Sequence, residues 1–314
     1  MTNRPRRVSE PALPPALSGE RHEFDGAAGR LSYYVSQPAL HPAARPLLLI
    51  HSVNAAATAF EVKPVYEHFA SLRPVYALDL PGFGFSERSE RAYTLRLMTD
   101  AVLSMQREIE RLHGSACEGG IDALAVSLGC EYLARAASEQ PAAFRRVALV
   151  SPTGFNRRKP STGAPGSHRG MRWLYDTFTA PFWTEGIYRT LTRPGVIRFF
   201  LEKTWGSKAI DEGLLAYDVL TTRQPGARHA PLRFVSGFLF AGDITRVYES
   251  LRQPVWMVHG IRGDFTDYRY KATLAGRPNW IFNVMQTGAL PFFEQPAEFN
   301  AACAAFLDGA EASR

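Results

Sequence analysis

The 314-residue chain is 46% hydrophobic and 21% charged, ordinary values for a globular protein and enough to build one domain with an insertion. Its net charge of +6 is spread along the chain without an aromatic-interleaved basic repeat, so no nucleic-acid partner is expected. No apolar run approaches the roughly 18 residues of a membrane span, no signal peptide follows the basic start, and Cys117, Cys130 and Cys303 lack disulfide or metal-ligand spacing, so a cytoplasmic protein with reduced thiols is expected.

Residues 1–18 read as a proline-rich, disordered lead-in. Arg21–Phe24 and Arg30–Ser36 flank Asp25–Gly29 as a hairpin. The apolar runs Arg45–Ile50 and Pro74–Leu80 then read as strands buried on both faces of a parallel sheet, with a helix over Phe60–Leu72 between them. Leu95, Met98, Val102, Met105, Ile109 and Leu112 recur at helical spacing within Tyr93–His113, which closes before Gly114. Next, Ile121–Gly129 is a short strand that stops at Ser127 between small residues and turns into the helix Cys130–Ala137. Such a turn forces the serine into an unfavourable backbone conformation, and the first free amides of the helix face whatever sits on it. Phe144–Val150 is a further buried strand.

From 156 to 245 the alternation stops, and helices rich in aromatics and arginine take over, among them Trp173, Phe182, Trp183, Tyr188, Phe199, Phe200, Trp205 and Phe238. Strands return at Pro254–His259 and Asn279–Val284, and Ala297–Leu307 closes the chain as a helix. The pattern predicts an α/β core at 19–155 and 246–314 interrupted by a helical cap at 156–245.

With the Ser127 turn in the middle, His51-Ser52 after one strand and Asp79-Leu-Pro-Gly-Phe-Gly-Phe-Ser86 after the next, the chain resembles the α/β-hydrolase superfamily, particularly its capped epoxide-hydrolase-like or esterase-like members. The resemblance covers about residues 20–155 and 246–310. It implies a mostly parallel sheet flanked by helices, Ser127 as nucleophile, and an oxyanion held by the backbone amides of Leu128 and Val53, with the Asn54 side chain as an added donor. His51 matches the first position of the family's His-Gly pair, whereas Ser52 stands at the second. The acid implied after the strand ending at His259 is Asp264, one residue later than usual, with Asp267 as the alternative.

The departure lies at the base. Thr287-Gly-Ala-Leu-Pro-Phe-Phe-Glu-Gln-Pro296 matches the family's segment Gly-His-x-Pro-x-x-Glu-x-Pro with Gly288, Pro291, Glu294 and Pro296 in register, but Ala289 occupies the histidine position. In a serine protease, loss of that histidine costs about 10⁶ in kcat. Three readings follow: a serine hydrolase acting on an ester-like or other carbonyl substrate with a base from elsewhere (His229, His259 or His51), a lyase, isomerase or cyclase using the same pocket, or a binding protein without catalysis.

No dinucleotide fingerprint follows the first strand and no His/Asp/Glu cluster suggests a metal, so no cofactor is expected. The cap aromatics and Arg172, Arg189, Arg193, Arg198, Arg223, Arg228 and Arg233 would suit a small hydrophobic substrate carrying a carboxylate or similar anion. Lid packing with a solvated basic face is the reading preferred for them. Gly195–Lys203, mixing large apolar and basic residues, also fits contact with a membrane surface.

Overall fold

A computed structural model describes residues 12–38, 44–155, 160–180, 182–264 and 267–309. Among these, eight strands form one sheet in the order β1-β2-β4-β3-β5-β6-β7-β8. The hairpin β1 (Glu20–Gly26) and β2 (Gly29–Ser36) is antiparallel, and β2 also runs antiparallel to β4 (Val75–Asp79). From β4 onward, β3 (Leu47–Ile50), β5 (Ile121–Val126), β6 (Phe144–Val150), β7 (Val255–Gly260) and β8 (Trp280–Met285) pair in parallel. The eight-stranded, mostly parallel sheet with flanking helices is the α/β-hydrolase fold.

The period-2 geometry of a strand, with both faces of the sheet covered, explains why the central runs are mostly apolar on both sides. Leu48, Ile50, Ala123, Ala125, Val147 and Leu149 point into one core, which α2 (Leu95–His113) and α3 (Gly129–Glu139) cover with Met98, Val102, Met105 and Leu133. Leu47, Leu49, Leu124, Val126, Ala148 and Val150 point into the other core. There α1 (Lys63–Phe69) supplies Val65 and Phe69, and the C-terminal helix Pro296–Asp308 supplies Phe299, Cys303 and Phe306.

Local chemistry moves several expected boundaries. β3 starts at Leu47 because Pro46 has no N–H for the ladder. The helix expected over Phe60–Leu72 is a 3₁₀ turn, Ala59–Val62, capped by Thr58, followed by α1 with proline in its first turn. Thr94 caps α2, its hydroxyl accepting the Leu97 N–H at 3.1 Å. The lead-in expected to be disordered through residue 18 is tied down where it is described. Ala16 and Leu17 are buried, Ala16 N–H donates to Tyr34 Oη at 2.9 Å, and Tyr217 Oη donates to Pro14 O at 2.8 Å. Residues 1–11 lie outside the described residues.

Between β6 and β7 the chain passes through α4 (Arg172–Phe178), α5 (Thr184–Leu191), α6 (Pro194–Trp205), α7 (Glu212–Thr221), α8 (His229–Val235) and α9 (Ile244–Ser250). α9 packs on α3 and its Ile244 and Val247 join the core, so the last of these helices belongs to the core rather than to the insertion. Two short helices, α10 (Pro291–Glu294) and α11 (Pro296–Asp308), follow β8. No helix among the described residues is long and apolar enough to cross a membrane.

Candidate functional site

Ser127 stands between β5 and α3 with φ at +51°, in the left-handed region that L-residues other than Asn and Asp rarely adopt. Its N–H donates to Val150 O at 2.8 Å, which fixes the turn on the neighbouring strand. Gly129 explains the small residue two places on, since a Cβ there would lie 2.4 Å from His51 O. The start of α3 therefore rests against the loop that follows β3. Ser127 is half-buried, and its Oγ makes no hydrogen bond among the described residues.

The Leu128 and Val53 N–H groups likewise have no acceptor among the described residues, although both residues are buried. The Val53 loop is held by Glu61, whose carboxylate accepts Ser52 N–H at 2.8 Å, Ser52 Oγ–H at 2.9 Å and Asn54 Nδ2–H at 2.8 Å. Ser52 thus serves where the family's glycine was expected, without a positive φ. Asn54 is not the added oxyanion donor expected of it, because its amide is turned toward Glu61 and Ser52.

The histidines separate clearly. His51 Nδ1–H donates to Ser52 O at 2.5 Å and its Nε2 accepts Leu80 N–H at 3.0 Å, so the ring joins two loops and has no free nitrogen for a proton. His259 Nδ1–H donates to Gly260 O at 2.8 Å, its Nε2 accepts from Lys271 Nζ at 2.8 Å, and its ring stacks on Tyr268 at 4.0 Å. Burial pushes both rings below the usual histidine range, as expected of neutral imidazoles between donors and acceptors. His51 and His259 are therefore structural. His229, the first residue of α8, is half-buried with no ring hydrogen bond among the described residues. Burial and then the Arg228 charge lower its pKa, with Glu90 opposing them.

Both candidate acids are held by ion pairs. Asp264 is half-exposed and pairs with Lys203 Nζ at 3.0 Å, and its N–H donates to Lys203 O at 3.1 Å. Asp267 pairs with Arg269 at the surface. The C-terminal end of α6 meets the loops after β7 and β8. Its free carbonyls take Asp264 N–H and, from Thr204, Ala289 N–H at 2.9 Å. A Cβ on Gly288 would lie 2.5 Å from the Trp205 Cα. Ala289 is buried, and its carbonyl accepts the Ser151 hydroxyl at 2.6 Å.

Three features escaped the sequence. Ser151, directly across from Ser127 at the end of β6, also has a positive φ, +48°. Its only sequence signal is its place after a buried strand. Glu61 anchors the Val53 loop from a helical turn that looks like ordinary core. Asp218 on α7 is 2% exposed and its Oδ1 has no partner; burial first, and then the Glu61 charge, push its carboxyl well above the usual range. It could have been suspected, because it lies one turn beyond buried Leu214.

Neither a pocket lining nor packing of a lid on the core describes Trp173, Phe182, Trp183, Phe199 and Phe200, which are exposed. The expected cationic rim is largely paired: Arg172 with Asp176, Arg189 and Arg228 with Glu185, Arg198 with Glu212. A surface groove of about 600 Å³ lies between the N-terminal segment and the 84–89 turn, and Ser127 is not among its lining residues. Among the described residues no group of three or more His, Cys, Asp or Glu could hold a metal.

The fold and the strained serine turn define the class. Residues 47–302 match the model of the alpha/beta hydrolase family, and the chain belongs to that family. It is 25% identical over 176 residues to the uncharacterized hydrolase YugF of Bacillus subtilis (strain 168), spanning 56% of this chain and 57% of that protein's length. A meta-cleavage product hydrolase from Pseudomonas fluorescens IP01 superposes with a TM-score of 0.68 at 15% identity, over 92% of this chain and 98% of its own. A probable hydrolytic enzyme from Pseudomonas aeruginosa PAO1 superposes with 0.69 at 17% identity, over 93% and 95%. At such identities these two likenesses concern the fold.

Proposed function

We propose that the chain is a hydrolase-type enzyme that attacks an ester-like or other carbonyl substrate through Ser127. The observation that carries this reading is the φ of +51° at a serine whose Oγ has no partner among the described residues. Backbone strain held on a side chain that does nothing for the fold is the mark of a functional position. In the proposed reaction Oγ bonds to the carbonyl carbon and the carbonyl electron pair moves onto oxygen, where the Leu128 and Val53 N–H groups receive it. Collapse expels the alcohol, and water repeats the attack to release the acid.

The Oγ proton needs an acceptor, and we assign it to His229. Unlike His51 and His259, its ring has no hydrogen-bond partner among the described residues, and its lowered pKa keeps it neutral and able to accept at pH 7. A fluorophosphonate probe tests both assignments. Labelling at pH 7–8 is expected in the wild type, absent in Ser127→Ala and slowed in His229→Ala; a full rate in His229→Ala would remove the base assignment alone.

A second reading has its own observation in favour. α6 lies across the loops where acid and base are expected, so a non-hydrolytic lyase, isomerase or cyclase, or a binding protein, would explain a site with oxyanion donors and no triad. It predicts no labelling at any pH from about 6 to 9. Ala289→His separates the two further: gain of esterase activity would indicate that the remaining machinery is competent.

A further inference from the structure

We infer that the outer face of α4, α5 and α6 is a docking surface for an anionic lipid bilayer. Of the ten exposed large hydrophobic residues among the described residues, six fall in this short stretch: Met171, Trp173, Phe182, Trp183, Phe199 and Phe200, with Phe182 95% exposed. Scattered single hydrophobics are normal on a protein surface, whereas a concentration of large ones marks an interaction site.

α6 lacks the usual division of faces. α6 packs inward with Ile197, Leu201 and Trp205, spaced one turn apart, yet its outer side presents Phe199 and Phe200 in edge contact at 5.5 Å, where a surface helix carries polar residues. α4 has no buried residue at all and α5 only Tyr188, so neither gains much from the core beneath. Trp183 Nε1–H donates to Thr177 O at 2.7 Å and ties the start of α5 to α4, while two residues join α5 to α6. The exposed aromatics thus come from consecutive, connected helices.

Charge chooses the occupant. Between residues 171 and 208 Arg172, Arg189, Arg198 and Lys203 pair with Asp176, Glu185, Glu212 and Asp264, which leaves exposed Arg193 and Lys208 with no ion pair among the described residues. A second copy of the chain meeting this face isologously would set these two unpaired cations against their own copies. Phosphate headgroups complement them, and Trp and Phe suit the boundary between headgroups and acyl chains. Lys203 Nζ over the Phe199 ring, at 5.6 Å, already places a cation beside an apolar anchor. The surface would bind whether or not Ser127 is a nucleophile.

Co-sedimentation of the full chain with vesicles of phosphatidylcholine alone, or with about a third phosphatidylglycerol, tests the inference. Binding to the anionic vesicles is expected, reduced several-fold between about 0.1 and 0.5 M NaCl as charges are screened. The double variant Phe199→Ser/Phe200→Ser should lose at least about tenfold in partitioning, by loss of the apolar anchors. Both rings are already half-exposed, so its circular dichroism and thermal midpoint should match the wild type. A second variant, Trp173→Ser, should weaken binding independently of α6. The inference is overturned if the wild type stays in the supernatant with anionic vesicles, or if both variants bind as the wild type does. A dimer seen by light scattering that these variants dissolve, without vesicle binding, would assign the face to self-association instead.

Discussion

The backbone at Ser127 makes a stability prediction that separates a functional serine from a fold-supporting one. A φ of +51° costs an L-residue about 1–2 kcal/mol. Glycine escapes that cost but loses about 0.5–1 kcal/mol more backbone entropy on folding. Ser127→Gly should therefore stabilise the protein by up to about 1 kcal/mol while removing the proposed nucleophile. Ser127→Ala keeps the strain and deletes an Oγ that has no partner among the described residues, so its stability should stay within about 0.5 kcal/mol of the wild type. Urea unfolding at pH 7, followed by circular dichroism, measures both. If Ser127→Ala loses more than about 1 kcal/mol, the hydroxyl is part of a structural hydrogen bond. If Ser127→Gly is destabilised, the strain argument fails, and with it the observation on which the catalytic reading rests.

Three other outcomes are expected. Asp122, fully buried in β5, accepts from Arg73 Nη2 at 2.5 Å and from Arg145 Nε at 2.8 Å, so Asp122→Ala should cost about 3–5 kcal/mol in urea unfolding by leaving buried Arg73 uncompensated. Burial lowers His51, His113, His229 and His259 below the ordinary 6.5, so the unfolded chain takes up protons first as pH falls. Their contribution is complete above pH 6.5 and lost below it, and the urea midpoint should begin to fall there rather than near pH 4. Asp218 behaves in the opposite sense. Its raised pKa means that the folded state keeps a proton the unfolded chain releases above 3.8, so stability is lost as pH rises through the folded pKa. Asp218→Asn should match the wild type at pH values below 3.8 and gain on it progressively toward pH 8; a constant difference would place the carboxyl in a charged, paired state.

Much of the fold was legible because it is local. The runs at Leu47–Ile50, Ile121–Val126 and Val255–Gly260 are apolar apart from Asp122 and His259, which only a strand covered on both faces requires, and the structure buries all of them. The Ser127 turn was legible for a similar reason: a small residue at 129 is demanded by a backbone approach that the strand-turn-helix sequence already implies. Helix limits were less so, because Thr58, Thr94 and the prolines act through single hydrogen bonds rather than through periodicity.

The chemistry of the site divides along the same line. By itself the sequence determined the sheet, the place of Ser127 above it, and the absence of a histidine at Ala289, each a property of a short segment and its neighbours in the chain. Only the tertiary structure decided what surrounds Ser127. His51 and His259 look like candidate bases until both nitrogens of each ring are found in hydrogen bonds, Nδ1 to the next residue's carbonyl and Nε2 to a distant segment. Asp264 looks like an acid until Lys203 and the last turn of α6 draw it to the surface. The free carbonyls of that helix end must find donors, and the donors they find, Asp264 N–H and Ala289 N–H, belong to segments 61 and 85 residues away in the chain. No pattern of residue types records such a contact, because it depends on where two distant loops and one helix end meet in space.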